Sequence, residues 1–269
     1  MEQKYIVWNE EKSNRLYDFV AQSNISESMY FGYQVGRGIV NFCKYFVPDI
    51  QTCKCLDYGC GLGHIIGYFL EEDICIYGVD MSQESVNVVN KKFEGRHNWG
   101  GAKVFDGKRL PYEDDTFDLI TCTEVIEHIL PKHMELFLSE LKRILKPDGK
   151  LLLTTPNDED FSKNEVCCPE CNTIFHKHGH CNKFTVEDVN ELMKNHGYRT
   201  IMCNATDFWK FQKNSKTNFL DLSIRKTYRI LKRKLINMFD TKKNTIDSKI
   251  FQENMRLNNR PNLFWIGTK

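Results

Sequence analysis

Three short stretches of the chain hold residue types at spacings that can do chemistry. In Thr123-Glu124-Val125-Ile126-Glu127-His128, the residues Glu124, Glu127 and His128 recur at i, i+3 and i+4. On a helical turn that spacing puts two carboxylates and an imidazole on one face. Such a donor set suits Mg2+, Mn2+ or Zn2+, and a cation held there would acidify a bound hydroxyl. Without a cation, the same Glu127 and His128 shape the floor of a pocket. The second stretch, 167 to 184, holds Cys168-x2-Cys171, then His176, His178, His180 and Cys181. Cys168, Cys171 and His176, with His180 or Cys181 as the fourth ligand, have the spacing of a small tetrahedral zinc site. The other reading is reduced thiols and surface histidines with no metal. His128, His178, His180 and Glu127 are the candidate groups for activating a hydroxyl acceptor, either as bases or through a metal that they hold.

The third stretch is Asp57-Tyr58-Gly59-Cys60-Gly61-Leu62-Gly63, an apolar strand running through a glycine turn into the apolar helix that starts at His64. Glycines at 59, 61 and 63 remove the Cβ atoms that keep a backbone away from a ligand, and the amides of the following helix offer donors to polar or anionic groups. A second apolar run, 74 to 79, ends in Asp80, where a nucleotide-binding βαβ unit carries its ribose-gripping carboxylate. Ionised and acceptor-only, Asp80 suits both hydroxyls of a ribose.

These residues need a scaffold, and the alternation from 53 to 155 supplies one. The pattern predicts strand 53–57, helix 63–71, strand 74–79, helix 83–93, strands 102–105 and 117–122, helix 132–145 and strand 149–154. Helix 185–196 follows, capped by Thr185 with Asp188, then strand 198–203 and a last strand over 262–268. Strands alternating with helices imply a parallel sheet covered on both faces, with ligands beyond the carboxyl ends of the strands at the switch in strand order. Residues 1–50 precede the first core strand and read as helices at 13–23 and 36–46, with 30–34 as a candidate lid segment.

The motifs together resemble class I S-adenosylmethionine-dependent methyltransferases. The resemblance rests on Leu56 to Gly63, Asp80-Met81-Ser82, Phe105-Asp106-Gly107, the block Leu110 to Ile120 and Leu145 to Lys150, and spans roughly 50 to 205. It implies a Rossmann-like α/β fold: a seven-stranded, mostly parallel sheet with helices on both faces and an antiparallel last strand. It further implies a cofactor site built from Asp57, Gly59, Cys60, Gly61, Gly63, Asp80, Met81, Asp106, Gly107, Thr123 and Glu124, with Asp57 at the methionine end and Asp106 at the adenine amine. The Glu124-x-x-Glu127-His128 element is similar to the metal-binding element of small-RNA 2′-O-methyltransferases and to the matching segment of ubiquinone-biosynthesis O-methyltransferases. In the RNA enzymes a later histidine precedes a Lys-Phe segment. Here His180 precedes Lys183-Phe184, which implies that His180 turns toward Glu124, Glu127 and His128 and leaves Cys181 to the zinc.

Composition sets the outer bounds. The chain has 269 residues, 41% hydrophobic and 12% aromatic, enough for one sizeable core with appendages. Lys plus Arg (37) balances Asp plus Glu (36), which argues against nucleic acid as the main partner, although Cys168, Cys171, His176 and Cys181 match a zinc-knuckle spacing. Eleven cysteines are too few for a disulfide scaffold at this length and fit a reducing compartment. With no apolar leader and no 18-residue apolar run, the expectation is a cytoplasmic protein. From 210 to 243, eleven Lys and Arg stand against Asp221 and Asp240, with apolar residues at helical spacing. This basic amphipathic helix has three candidate roles: resting on the domain, covering an anionic substrate, or touching an acidic membrane.

The expected organisation is therefore a helical leader over 1–50, a methyltransferase core over 51–206 with its Cys/His-rich loop at 165–184, a basic helical insertion over 207–261 and a last strand over 262–269. The expected activity is S-adenosylmethionine-dependent O-methyl transfer to a small or carrier-linked acceptor, with Zn2+ and a second divalent metal as further cofactors. The resemblance to bacterial sugar-modifying enzymes suggests a sugar, sugar nucleotide or phosphate-bearing intermediate of surface polysaccharide. The rival readings are a metal-dependent RNA 2′-O-methyltransferase and a non-catalytic module that binds S-adenosylmethionine or zinc. The acceptor and the oligomeric state are not legible in the sequence.

Overall fold

Seven strands form one sheet in the order β4-β3-β2-β5-β6-β10-β9. They are β2 (Lys54–Tyr58), β3 (Cys75–Asp80), β4 (Trp99–Val104), β5 (Phe117–Thr123), β6 (Leu145–Pro156), β9 (Arg199–Thr206) and β10 (Asn262–Thr268). The computed structural model describes residues 4–22, 30–212 and 261–269. β2 pairs in parallel with β3 and β5, and β6 in parallel with β5, while β10 runs antiparallel between β6 and β9. The chain builds β2, β3 and β4 outward, then returns to lay β5 beside β2. That return is the switch in strand order, and the carboxyl ends of β2, β3, β5 and β6 share one edge of the sheet there.

Side chains alternate across the sheet with the period of two that strands impose. Cys55, Ile76, Leu152 and Phe264 face one side, packed with α2 (Phe31–Phe46) and α3 (His64–Glu71) through Ile39, Phe42, Ile66 and Phe69. Leu56, Val79, Leu151, Leu153, Leu263 and Trp265 face the other, against α5 (Met134–Ile144) and α6 (Val186–Asn195) through Phe137, Leu141, Val189 and Met193. With both faces covered, the central strands β3, β5 and the second half of β6 are mostly apolar and read as hydrophobic runs, while the edge strands β4 and β9 carry polar and exposed residues. α4 (Gln83–Lys92) is capped by Ser82, whose hydroxyl accepts from the Ser85 amide, and α6 by the reciprocal Thr185 and Asp188 pair.

β6 starts at Leu145, four residues before the expected bound, and the first helix at Glu10, three before its own; there are four further departures. β4 begins at Trp99, three residues early, because Gly100 gives the Tyr77 ring room: a Cβ there would lie 2.3 Å from it. α2 starts at Phe31, five residues before the expected 36, so residues 30–34 are its cap and first turn, with Tyr33 exposed and its ring 5.6 Å from that of His64. Residues 208–212 form a 3-10 turn whose Phe208 and Phe211 pack against Phe42, which joins the start of the expected insertion to the core. The rest of the basic segment, 213–243, lies outside the described residues.

The fourth departure is a second sheet. β7 (Glu165–Cys167) and β8 (Thr173–His176) form an antiparallel hairpin, and β1 (Lys4–Tyr5) adds to β8 in parallel. The leader is thereby stitched to the Cys/His loop, and α1 (Glu10–Gln22) follows directly from that strand. Among the described residues no helix is long and apolar enough to cross a membrane.

Phe42 sits at the centre of the α2 face, with Phe46, Phe208, Phe211 and Phe264 rings 4.8 to 5.5 Å from it. Replacing a fully buried ring by a methyl group removes its burial and leaves a cavity. Phe42→Ala is expected to lower unfolding free energy by about 3 to 5 kcal/mol, read from urea denaturation.

Candidate active site

The glycine turn after β2 is bound to the end of β3: the amides of Gly59 and Cys60 both donate to the Val79 carbonyl, at 2.8 and 3.1 Å. Gly59 has φ +73° and approaches Val125 so closely that a Cβ would lie 2.6 Å from a methyl group. Gly61, at φ +48°, faces open space, as does Gly107 at φ +79°. Both provide the uncluttered backbone that a ligand needs. Gly63, also left-handed, caps α3. Cys60, between the first two glycines, is buried, with its thiol packed over Gly78 at the sheet.

Asp80 ends β3, and its two oxygens accept the amides of Gly61 and Ser82 at 2.9 Å each. Burial pushes its carboxyl up while these bonds oppose the shift, and a carboxylate has lone pairs left for two further donors. Met81 beside it is 53% exposed, an apolar surface next to the ribose position. Asp106 lies on the surface after β4, where its Oδ1 accepts the amides of Lys108 and Arg109, which hold its carboxyl below the usual range. Asp57 is 2% exposed and accepts a 2.8 Å bond from Thr121, its neighbour on β5. Burial raises its carboxyl to about 7.

Past β5, the geometry departs from a helical face. Thr123 ends the strand, Glu124 takes a left-handed φ of +53°, and only Ile126–His128 forms a 3-10 turn. The reversal ties Glu124 to β6: its amide donates to the Thr154 carbonyl, and its carboxylate accepts from the Thr154 hydroxyl at 2.9 Å. Burial raises its carboxyl to about 7. Glu127 is 1% exposed; one oxygen accepts from the Thr155 hydroxyl at 2.9 Å, and Oε1 is buried with no hydrogen-bond partner among the described residues. Burial, then the nearby Glu124, push its carboxyl well up. His128 is kept neutral by burial and by His180, down to about 3.

The Cys/His loop reaches this turn through its end. The amides of Cys181 and Asn182 both donate to the Glu127 carbonyl, at 2.9 and 3.0 Å. One ligand atom each from Glu127, His128 and His180 then lie within 4.8 Å of one another. Glu124, an expected ligand, is outside that group. Sequence reasoning missed two partners. Tyr17 of α1 sets its hydroxyl 2.8 Å from His128 Nδ1, and Glu159, after β6, lies 2.5 Å from His180 Nδ1 and 3.2 Å from His176 Nε2. Although burial opposes it, the bonds to His180 and Asn164 hold the Glu159 carboxyl below its usual range. No spacing pointed to either residue, since both arrive from separate segments.

The expected zinc site does not assemble. Cys168 and Cys171 meet at the tip of the hairpin, where Asn172 takes a left-handed φ of +54° and the Cys168 amide donates to the Thr173 carbonyl at 2.9 Å. His176 ends the strand that leaves that tip, and three extended steps at about 3.3 Å each carry it away from the thiols. His176 is buried against Glu159, and the Cys181 thiol donates to the carbonyls of Glu127 and Ile129. Among the described residues, Cys168 and Cys171 belong to no group of three potential ligands. His178 is exposed, its ring 5.8 Å from that of His180, outside the ligand cluster.

A glycine turn at the switch point, with Asp80 bound to it, defines a class I S-adenosylmethionine-dependent methyltransferase. The chain belongs to the methyltransferase-domain family, whose profile matches residues 9–202. It is 32% identical over 165 residues to an uncharacterised protein of Methanocaldococcus jannaschii, covering 58% of this chain and 67% of that one. It is also 32% identical over 114 residues to a ubiquinone biosynthesis O-methyltransferase of Actinobacillus pleuropneumoniae, covering 39% of this chain and 46% of that one. The match thus spans less than half of that enzyme's length. Among solved structures, phosphoethanolamine N-methyltransferase 2 of Haemonchus contortus in complex with S-adenosyl-L-methionine superimposes with a TM-score of 0.56 at 19% identity, over 94% of this chain and 60% of that one. At that identity the likeness is one of fold.

If Asp57 meets the methionine ammonium, its titration shows in binding. The folded carboxyl at about 7 stands above the usual aspartate value of 3.8, so the ionised form costs stability: stability falls as pH rises through that interval and levels off above it. The ionised form is also the one that pairs with a cation. Affinity for S-adenosylmethionine is therefore expected to rise by up to about tenfold from pH 6 to pH 8, and Asp57→Asn to flatten the profile. Calorimetry at several pH values checks it; equal slopes in both proteins would remove Asp57 from that role.

Proposed function

We propose that this protein transfers the methyl group of S-adenosylmethionine to a hydroxyl oxygen of a small or carrier-linked acceptor, with Glu127, His128 and His180 activating that hydroxyl. The observation that carries the reading is the buried Glu127 Oε1, which has no hydrogen-bond partner among the described residues, in a cluster with two imidazoles. An unsatisfied buried carboxylate oxygen is costly, and a ligand that supplies positive charge or a donor removes the cost. The donor set of one carboxylate and two neutral imidazoles fits a divalent cation. Bound S-adenosylmethionine supplies an activated methyl on a sulfonium leaving group. A divalent cation at the cluster would supply acidity to a coordinated hydroxyl.

Residues of the chain do the remaining work. Asp80 takes the ribose and Gly61 lets the backbone come close, which fixes the methyl in line with the acceptor. As the acceptor oxygen bonds to the methyl carbon, the carbon–sulfur pair leaves with sulfur. The acceptor proton goes to solvent, and burial keeps His128 and His180 neutral, so that their lone pairs would be available to hold the cation. The similarity to a ubiquinone biosynthesis O-methyltransferase supports oxygen as the nucleophile. A phosphate-bearing acceptor, such as a sugar nucleotide, suits the basic composition of 213–243, and phosphoethanolamine N-methyltransferase of Triticum aestivum, named for such an acceptor, is among the similar proteins. No residue of the site speaks for surface polysaccharide in particular. The same cluster favours a second reading, RNA 2′-O-methyl transfer; retention of single-stranded RNA on filters separates the two.

Glu127→Gln keeps the shape and removes the charge. It is expected to lower turnover at least about 100-fold while S-adenosylmethionine affinity stays near that of the wild type. A weak chelator should inhibit the wild-type protein, with activity regained on adding Mg2+, Mn2+ or Zn2+. A wild-type rate in Glu127→Gln would rule out this role for the carboxylate.

A further inference from the structure

Two clusters in the structure share His180. Beside the group of Glu127, His128 and His180, one ligand atom each of Glu159, His176 and His180 also lie within 4.8 Å of one another. The directions of the hydrogen bonds tell the two apart. The backbone N–H of His180 donates to Nδ1 of His176 at 3.3 Å, so the lone pair of that ring is on Nδ1 and the proton of the neutral ring is on Nε2. His176 Nε2 faces one oxygen of Glu159 at 3.2 Å, and His180 Nδ1 faces the other at 2.5 Å. Asn164 donates to Glu159 as well, at 2.8 Å. An ionised carboxylate only accepts, so both rings donate to it, and the lone pair of His180 is left on Nε2. A cation between Glu159, His176 and His180 would need the lone pair on His176 Nε2. The proton of that ring would then sit on Nδ1, pointing at the His180 N–H, donor against donor. The second cluster is therefore a hydrogen-bonded clamp.

We propose that Glu159 and His176 are positioning residues that lock His180 in its Nδ1–H tautomer, keeping the Nε2 lone pair available to Glu127 and His128 for a divalent cation. His176 holds Glu159 and receives the His180 amide, Asn164 braces the same carboxylate, and Glu159 holds the His180 ring. A carboxylate behind a ligating imidazole fixes its tautomer and raises its basicity, and loss of such a partner costs about 10- to 100-fold in metal affinity. The inference rests on the metal-assisted reading above, but the tautomer is observable without any metal.

Long-range 1H–15N spectra of the imidazole rings in the labelled, metal-free full chain read it directly. The wild type is expected to show His180 protonated at Nδ1, and Glu159→Ala to shift it toward the Nε2–H form. Zn2+ affinity, measured by competition with a chromophoric chelator, should fall about 10- to 100-fold in Glu159→Ala, with S-adenosylmethionine affinity within about twofold of wild type as the check on the fold. Glu159→Gln, isosteric and with one acceptor oxygen, should retain the fold and fall between the two. His180 found as Nε2–H in the wild type, or an unchanged tautomer and unchanged Zn2+ affinity in Glu159→Ala and Glu159→Gln, would overturn the proposal. If the wild type binds no Zn2+ while the tautomer behaves as expected, the clamp stands and the metal-assisted reading fails.

Discussion

The backbone carbonyl of Glu127 accepts the amides of Cys181 and Asn182, while one oxygen of its side chain accepts from Thr155 and the other has no partner among the described residues. The main-chain bonds anchor the end of the Cys/His loop to the turn after β5, and this anchoring brings His180 beside His128. The ring centroids of the two histidines are 4.7 Å apart and their planes cross at 73°. Burial here is costly for every charged group, so the surrounding residues divide by protonation: Glu127 is pushed toward its neutral form and the imidazoles are kept neutral. Among the described residues Oε1 of Glu127 has no hydrogen-bond partner, and a donor or a cation there would offset the cost of burying it.

Around that turn, the fold contributes from both ends of the chain's first two hundred residues. β1 adds to the β7–β8 hairpin, and α1 then carries Tyr17 to His128, so the leader takes part in the site through a hydroxyl on an imidazole. The tyrosine's own hydroxyl is pushed up by burial, which keeps it a neutral donor or acceptor at physiological pH. The hairpin differs at its two ends. Its tip carries the free thiols of Cys168 and Cys171, and its last strand residue, His176, lies against Glu159. The cofactor half of the site sits apart from this, on the β2 and β3 ends, where backbone amides hold Asp80 and a threonine hydroxyl holds Asp57.

Local patterns determined much of this protein before any contact was known. Apolar runs at 53–57, 74–79, 117–122 and 149–154, alternating with helical patterns, had to be buried and covered, so a parallel sheet with helices on both faces followed from periodicity, while the antiparallel last strand followed from the family resemblance. Asp80 and the glycines at 59, 61 and 63 were legible for the same reason: a strand end, a tight turn and a carboxylate about twenty residues on are properties of contiguous sequence. Tertiary structure decided what spacing cannot carry. Glu124, Glu127 and His128 looked like one helical face, but a left-handed residue at Glu124 and a 3-10 turn after it break the 3.6-residue period that the reading assumed. Cys168, Cys171 and His176 looked like one metal site, but an extended strand between them separates what a turn would have joined. Glu159 and Tyr17 carried no signal at all, because each reaches the site from a separate segment, and a contact between distant segments exists only once the sheet and the loops have brought them together.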